Sequence, residues 1–200
     1  QDFTETIARM PGVRDVEGWR SASVRVRVSA DVYKTVTIKA TDDLGASQIN
    51  QLETIAGQFP PGEHEMVIDI NKLDELNAEI GDRVEVHLSS GTVRYLRVVG
   101  VVRDQTIGAD NTSFFVAPPH GYVTRDTIEW LEYPNNFNQM LVTVQQSGDD
   151  LAHIETVTLR VRDQIEDSGR EVFRYATFRS SEHPNQSYNE AVSGVLFLLG

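Results

Sequence analysis

From Val16 onward, the chain alternates between apolar and polar residues with a period of two. Ala22, Val24, Val26 and Val28 fall on one side, and Arg25 and Arg27 on the other. After the turn at Ser29-Ala-Asp-Val32 the pattern resumes, with Val36, Ile38 and Ala40 against Thr35, Thr37 and Lys39. A period of two with one wet face requires half-buried strands, and the turn between them makes a hairpin. A second alternation, Val84, Val86 and Leu88 against Arg83, Glu85 and His87, turns at Ser89-Ser-Gly-Thr92 and returns as the apolar run from Val93 to Val102. Helical signals are fewer. Phe3, Ile7 and Met10 share a face after the Asp2…Glu5 pair, and Pro11-Gly12 ends that helix. Leu151, Ile154, Val157, Val161 and Ile165 recur at three and four after the Asp149 cap, with Gly169 as the stop. Asn71 begins a shorter helix through Leu73, Leu76 and Ile80, with Gly81 past its end. Thr124 or Asp126 caps another through Ile128 and Leu131 that stops before Pro134.

The order of these elements gives an α+β fold with two lobes. A helix ending in Gly and leading into a strand occurs near both ends of the chain. One α+β layer is therefore expected from residues 1–41 and 137–186, with a strand-rich lobe inserted at 42–136. Met140, Val142 and Val144 and the stretch from Val172 to Phe178 supply the later strands, Met66 to Ile70 a short one, and Tyr122-Val123 a brief one. Residues 42–62 read as polar turns ending in Pro60-Pro61-Gly62.

The last residues are uncharged from Ala191 to Gly200, behind the capping box Ser187-Tyr-Asn-Glu190. Residues 187–200 read as the start of a membrane helix cut short, with Glu190, Val195, Leu196 and Leu199 in its first turns. Ten residues span about 15 Å, and a bilayer core needs roughly 20 apolar residues. The alternative is an ordinary C-terminal helix docked on the core. Because the first residue is Gln1, the chain reads as a piece lying between two membrane segments, with any targeting signal upstream.

A net charge of −12 argues against a nucleic-acid or anionic-lipid surface. The absence of cysteine removes disulfides, thiolate metal sites and cysteine nucleophiles. The five histidines, at 64, 87, 120, 153 and 183, form no H-x-H or H-E-x-x-H pair. Glu63-His64-Glu65 places its members on alternate faces of a strand, so they cannot all reach one metal. There is no G-x-S-x-G elbow and no G-x-x-x-x-G-K-[ST] loop. Glu53, Asp69, Asp74, Glu79 and Asp82 offer carboxylates for acid–base work, without a spacing that singles out a pair. No catalytic residue, cofactor or metal site is expected. Phe114, Phe115, Trp130, Tyr133 and Phe137 lie in irregular stretches, as candidates for partner contact or for plugging the inserted lobe. The arginines at 25 and 27 read as a solvated strand face.

Three segments in order carry a family likeness. They are Pro61-Gly-Glu-His-Glu-Met-Val-Ile-Asp69, Leu76-Asn-Ala-Glu-Ile-Gly-Asp-Arg-Val-Glu-Val86, and Gly91 through Leu96-Arg-Val-Val-Gly-Val-Val102. With the opening Ile7-Ala-Arg-Met-Pro-Gly-Val-Arg-Asp-Val-Glu17, they resemble the extracytoplasmic core domain of MacB/FtsX-like ABC-transporter permeases over essentially the whole chain. The resemblance implies a porter lobe from the two ends and an inserted sabre lobe. It implies a non-catalytic part in passing ATP-driven motion of membrane helices to an external partner or cargo, in efflux, lipoprotein release or control of cell-wall hydrolases. It also implies an ABC ATPase subunit or domain, a second permease copy and an extracytoplasmic adaptor or cargo as partners, no nucleic acid, and a place outside the cell membrane of a bacterium or archaeon. Leu76 to Arg83 is shorter and more acidic than the F-G/P-x-x-x-P-x-G-K-like stretch of many members, which separates the chain from the macrolide exporters and leaves its cargo open. The competing reading is a soluble periplasmic or secreted binding module with a docked C-terminal helix. A carboxylate enzyme working between the lobes is the third.

Overall fold

The computed structural model describes residues 3–104 and 118–179, and the backbone of 194–199. Helix α1 (Phe3–Ala8) leads into β1 (Val13–Ser29), a strand of 17 residues. At 3.2–3.4 Å per residue this is about 55 Å of continuous ladder, and it serves two sheets. Val13 to Trp19 pair with β8 (Gln139–Val144), and Arg20 to Ser29 pair with β2 (Val32–Ala40).

The second half of β1 belongs to a closed ring. β2 pairs with β7 (His120–Tyr122), β7 with β4 (Glu65–Asp69), and β4 with β6 (Val93–Asp104). β6 pairs with β5 (Arg83–His87), and β5 returns to β1. A ring of six strands has no open edge within the ring. The alternating apolar residues of the sequence face its interior: Ala22, Val24 and Val26 from β1, Val36 and Ile38 from β2, Val84 and Val86 from β5, all buried with Met66, Ile68, Leu96 and Val98. Leu131 and Ile128, from α2 (Arg125–Trp130) and its end, plug the barrel. Thr124 caps that helix by accepting from the Thr127 N–H, 3.1 Å away.

The first half of β1 joins an antiparallel sheet in the order β1-β8-β10-β9, with β9 at Val172–Thr177 and β10 at Gly194–Leu199. Helix α3 (Leu151–Asp167) and α1 cover one face through Ile154, Val157, Val161, Ile165 and Ile7, packed on Val13, Met140, Val142 and Val144. The cap of α3 is Asp150, one residue after the expected Asp149, accepting from the Ala152 and His153 N–H groups.

Four features differ from the sequence reading. The ladder of β1 changes sheets at Trp19/Arg20, so the 20–40 hairpin hydrogen-bonds into the barrel, ahead of the boundary expected at residue 41. The turn-rich stretch contains β3 (Leu52–Gly57), an edge strand on β6, whose bulge between Thr54 and Ala56 destroys the period of two. The helix expected from Asn71 is two short 3₁₀ turns, Ile70–Lys72 and Asp74–Leu76, stopped by Asn77 at φ 48°. Finally, Val195, Leu196 and Leu199, expected in a helix, lie in strand β10 between β8 and β9. An uncharged apolar run has no period to distinguish a helix from a doubly buried strand, and here the neighbouring strands supply hydrogen-bond partners on both sides. Ser187 and Glu190 are outside the described residues. Among the described residues, no helix is long and apolar enough to cross a membrane.

Register places the starts of β1 and β10 at one end of the small sheet, and Leu198, near the end of β10, beside Trp19 at the other. Val13, where β1 starts, pairs with Val144, and Gly194, where β10 starts, pairs with Thr143. The two starts flank the same end of β8, about 10 Å apart at 4.8 Å per strand.

Candidate functional site

The point where β1 leaves one sheet for the other is cross-linked by several side chains. Gly18 sits there because the Phe137 ring occupies the space a Cβ would need. The Gly18 carbonyl accepts from Thr41 Oγ1 at 2.8 Å. Next to it Asn138 acts as a strand residue through its side chain. Its Oδ1 accepts from the Ser21 N–H (2.8 Å), its Nδ2 donates to the Ser21 carbonyl (2.9 Å), and its own N–H donates to the Trp19 carbonyl (3.0 Å). Two residues on, Tyr133 Oη donates to the Ser23 carbonyl at 2.7 Å. The edge of β1 that neither β8 nor β5 covers is thereby satisfied.

Glu17, half-buried on β1, ties down the loop after β2. Its carboxylate accepts from the backbone N–H groups of Gln48 and Ile49 (the latter 2.8 Å), from Ser47 Oγ (2.8 Å) and from Trp19 Nε1 (3.2 Å). Charge-assisted bonds of this kind are the strong ones. Glu17→Ala should cost about 2 kcal/mol and accelerate amide exchange at Gln48 and Ile49, read by denaturation and hydrogen exchange. Arg125 braces the opposite side. It donates to Asp42, to Asn135 Oδ1 (2.7 Å) and to the Asn135 carbonyl, with its guanidinium 4.5 Å from the Phe137 ring centre.

Trp19 (2 % exposed) meets the edge of Tyr122 at 6.4 Å between ring centres. Tyr122 donates to Asp104, whose backbone N–H donates to Asp69 Oδ2 at 2.9 Å, while Lys39 Nζ stands 3.9 Å from Asp104. Burial first, then the Asp104 carboxylate, pushes the Tyr122 hydroxyl well above the ordinary tyrosine range. A raised folded-state value means stability is complete below the unfolded value, about 10, and falls as pH rises beyond it. Alkaline unfolding should therefore set in above that pH, and Tyr122→Phe should remove this component of the transition followed by circular dichroism.

The sequence candidates are distributed around this joint. Trp130 packs on the barrel core, with the His64 ring centre 3.9 Å away and Arg94 at 4.9 Å. Tyr133 and Phe137 are half-buried and engaged as described. Phe114 and Phe115 are outside the described residues. Of the candidate carboxylates, Asp69 is brought beside Asp104, a residue the sequence did not single out. Glu53 pairs with Arg103 at 2.7 Å. Asp82 accepts from the Glu79 N–H, and Asp74 is exposed. Among the described residues no three histidine or carboxylate side chains converge as for a metal ion. Glu17, Thr41, Arg125 and Asn138 also escaped the sequence reading. The one available signal was Gly18 inside a strand pattern, which marks a close approach. The arrangement can hold two sheets in fixed register.

No family model matches the chain, and no curated protein matches it in sequence. Among solved structures, the extracellular domain of the noncanonic ABC-type transporter YknZ from Gram-positive bacteria matches with a TM-score of 0.58 and 13% identity, over 84% of this chain and 83% of that one. The periplasmic region of MacB from Actinobacillus actinomycetemcomitans gives 0.47 at 14% identity, over 80% and 72%. A domain of a permease protein from Porphyromonas gingivalis gives 0.45 at 14%, over 78% and 73%. The α+β architecture expected from the sequence is thus the one observed, and the chain shares the fold of the extracellular domain of the ABC-type transporter YknZ.

Proposed function

We propose that this chain is the extracytoplasmic, non-catalytic domain of an ABC-transporter permease, and that it passes motion of the membrane helices at its two ends to an external partner or cargo. The observation that carries this reading is the course of β1. It starts beside the start of β10 at one end of the small sheet and runs without a break into the barrel. A displacement applied at that end reaches the barrel through a continuous hydrogen-bonded strand, braced at the joint by Glu17, Asn138 and Arg125. The joint is packed around Trp19 and its β1 carbonyls at Gly18, Ser21 and Ser23 accept side-chain hydrogen bonds, which resists bending more than a Gly-rich linker would. In the division of labour proposed here, the sheet with α1 and α3 is the porter-like lobe and the barrel the sabre-like one. The ATPase and the second permease copy act through the membrane part of the full protein.

The test uses the full-length permease with its ATPase. Spin labels at Ser23, on the barrel exterior, report the distance between the two copies in nucleotide-free and ATP-trapped states. A shift of the distance distribution on trapping is expected; identical distributions would sink the reading. A second reading, a soluble module whose C-terminal segment completes the sheet, is favoured by the pairing of β10 with both β8 and β9. It requires the 194–199 strand for folding, so deleting residues 187–200 should unfold the small sheet. Because β10 is paired on both sides in either reading, the inter-copy distances in the full-length permease, not the deletion, tell the two apart.

A further inference from the structure

The outer face of the barrel carries charge opposite to that of the whole molecule. On β2, β1, β5 and β6 the residues between the buried positions point outward and line up in rows across the strands. Thr35, Arg25, His87 and Val93 form one row, and Tyr33, Arg27, Glu85 and Tyr95 the next. Arg83 faces Arg97 in the row beyond. This face thus carries Arg25, Arg27, Arg83 and Arg97 against the carboxylates of Glu85 and of Glu65, which lies across from Arg97 on β4, in a chain with 18 basic and 30 acidic residues. Glu85 is already occupied. It bonds His87 Nε2 at 2.6 Å and accepts from Arg27 at 3.4 Å, and these hydrogen bonds, His87 first, hold its pKa below the usual carboxylate range.

Several of the arginines are not neutralised locally. Arg25 lies over the Tyr33 ring at 4.6 Å, while Arg97 has a long ion pair with Glu65 at 3.9 Å. Arg83 makes no hydrogen bond or ion pair among the described residues, and it stands directly across the ladder from another arginine. Like charges in that position destabilise a sheet, so the fold itself does not explain them. Tyr95 (54 %) and Val93 (39 %) are exposed beside them. Tyr and Arg together on a flat, strand-borne surface are the residue types that dominate protein interfaces.

We propose that this face of the barrel docks an acidic protein surface, with carboxylates meeting Arg25, Arg83 and Arg97 and an apolar or aromatic group meeting Val93 and Tyr95. Charge complementarity selects the partner. Docking of acidic groups would offset the repulsion between Arg83 and Arg97, so the face is stabilised by its occupant.

The experiment titrates a fluorescein-labelled oligoglutamate peptide into the chain at low salt, with an oligolysine peptide and phosphatidylglycerol vesicles as comparisons. Amide shifts in the NMR spectrum locate the site. Binding of the acidic peptide is expected, with shifts confined to β1, β5 and β6 and screening by salt. Arg25→Glu with Arg83→Glu should weaken it by about tenfold or more. Both side chains are exposed, so the variant should fold, as circular dichroism will show; Tyr95→Ala provides a second, uncharged variant that should also weaken binding. Absence of binding, shifts mapping elsewhere, equal affinity of the charge-reversed variant, or binding to vesicles but not to the peptide each overturns the proposal. None of these outcomes alters the inter-copy distances that test the permease reading.

Discussion

Trp19→Ala is expected to destabilise the chain by about 3–5 kcal/mol, the range for truncating a large buried aromatic. Trp19 is the last β1 residue paired to β8, and its ring fills the space between the two sheets with Leu44, Val67, Val99, Val102 and Tyr122. Removing it leaves a cavity at the joint, where neither sheet can collapse without breaking the β1 ladder. The indole N–H to Glu17 is lost as well, which loosens the clamp on residues 47–49. Chemical denaturation gives the stability, and a loss under about 1 kcal/mol would show that the cavity collapses freely. If the joint transmits motion, the same variant should uncouple ATP hydrolysis from movement of the barrel in the full permease. Spin labels would then show smaller nucleotide-dependent shifts while ATPase turnover continues.

The second large effect is expected at Gly57→Ala. Gly57 lies opposite Gly100 in the β3–β6 pair, at φ +77°. A Cβ there would overlap the Val99 carbonyl, which is backbone and cannot rotate away. The left-handed conformation costs an L-residue about 1–2 kcal/mol, and overpacking typically adds 1–3, for a total of about 2–5. The strand β3 should peel from β6, visible as faster amide exchange from Leu52 to Gly57 and a lower denaturation midpoint. Retention of wild-type exchange would mean that the edge moves to make room.

The legible part of this fold was its alternation. The barrel strands could be read from Val24, Val26, Val36, Ile38, Val84 and Val86 because a half-buried strand must place every second side chain inside. The α3 core face was equally plain from Ile154, Val157, Val161 and Ile165. Leu52–Gly57 was not, since an edge strand with a bulge has neither two-sided pairing nor a constant period. The 70–80 stretch carried helical spacing, but Asn77 in the left-handed region stops it after short 3₁₀ turns. Of the aromatics offered as contact residues, Trp130, Tyr133 and Phe137 are tied to their own chain. Composition alone could not distinguish a side chain that plugs a barrel from one that awaits a partner.

The sequence by itself determined which residues are inside, that the chain is α+β, and that common nucleophile and nucleotide motifs are missing. It also carried, in the order of three dispersed segments, the likeness to permease domains that the fold displays. Only the tertiary structure decided that one strand belongs to two sheets, because a strand's period is the same whichever neighbour it pairs with. Only it closed the ring, brought Glu17 to the 47–49 loop and Asn138 to Ser21, and set Arg83 opposite Arg97. Those are contacts between positions far apart in the chain, fixed by register. Register follows from the packing of the whole core, not from any local pattern.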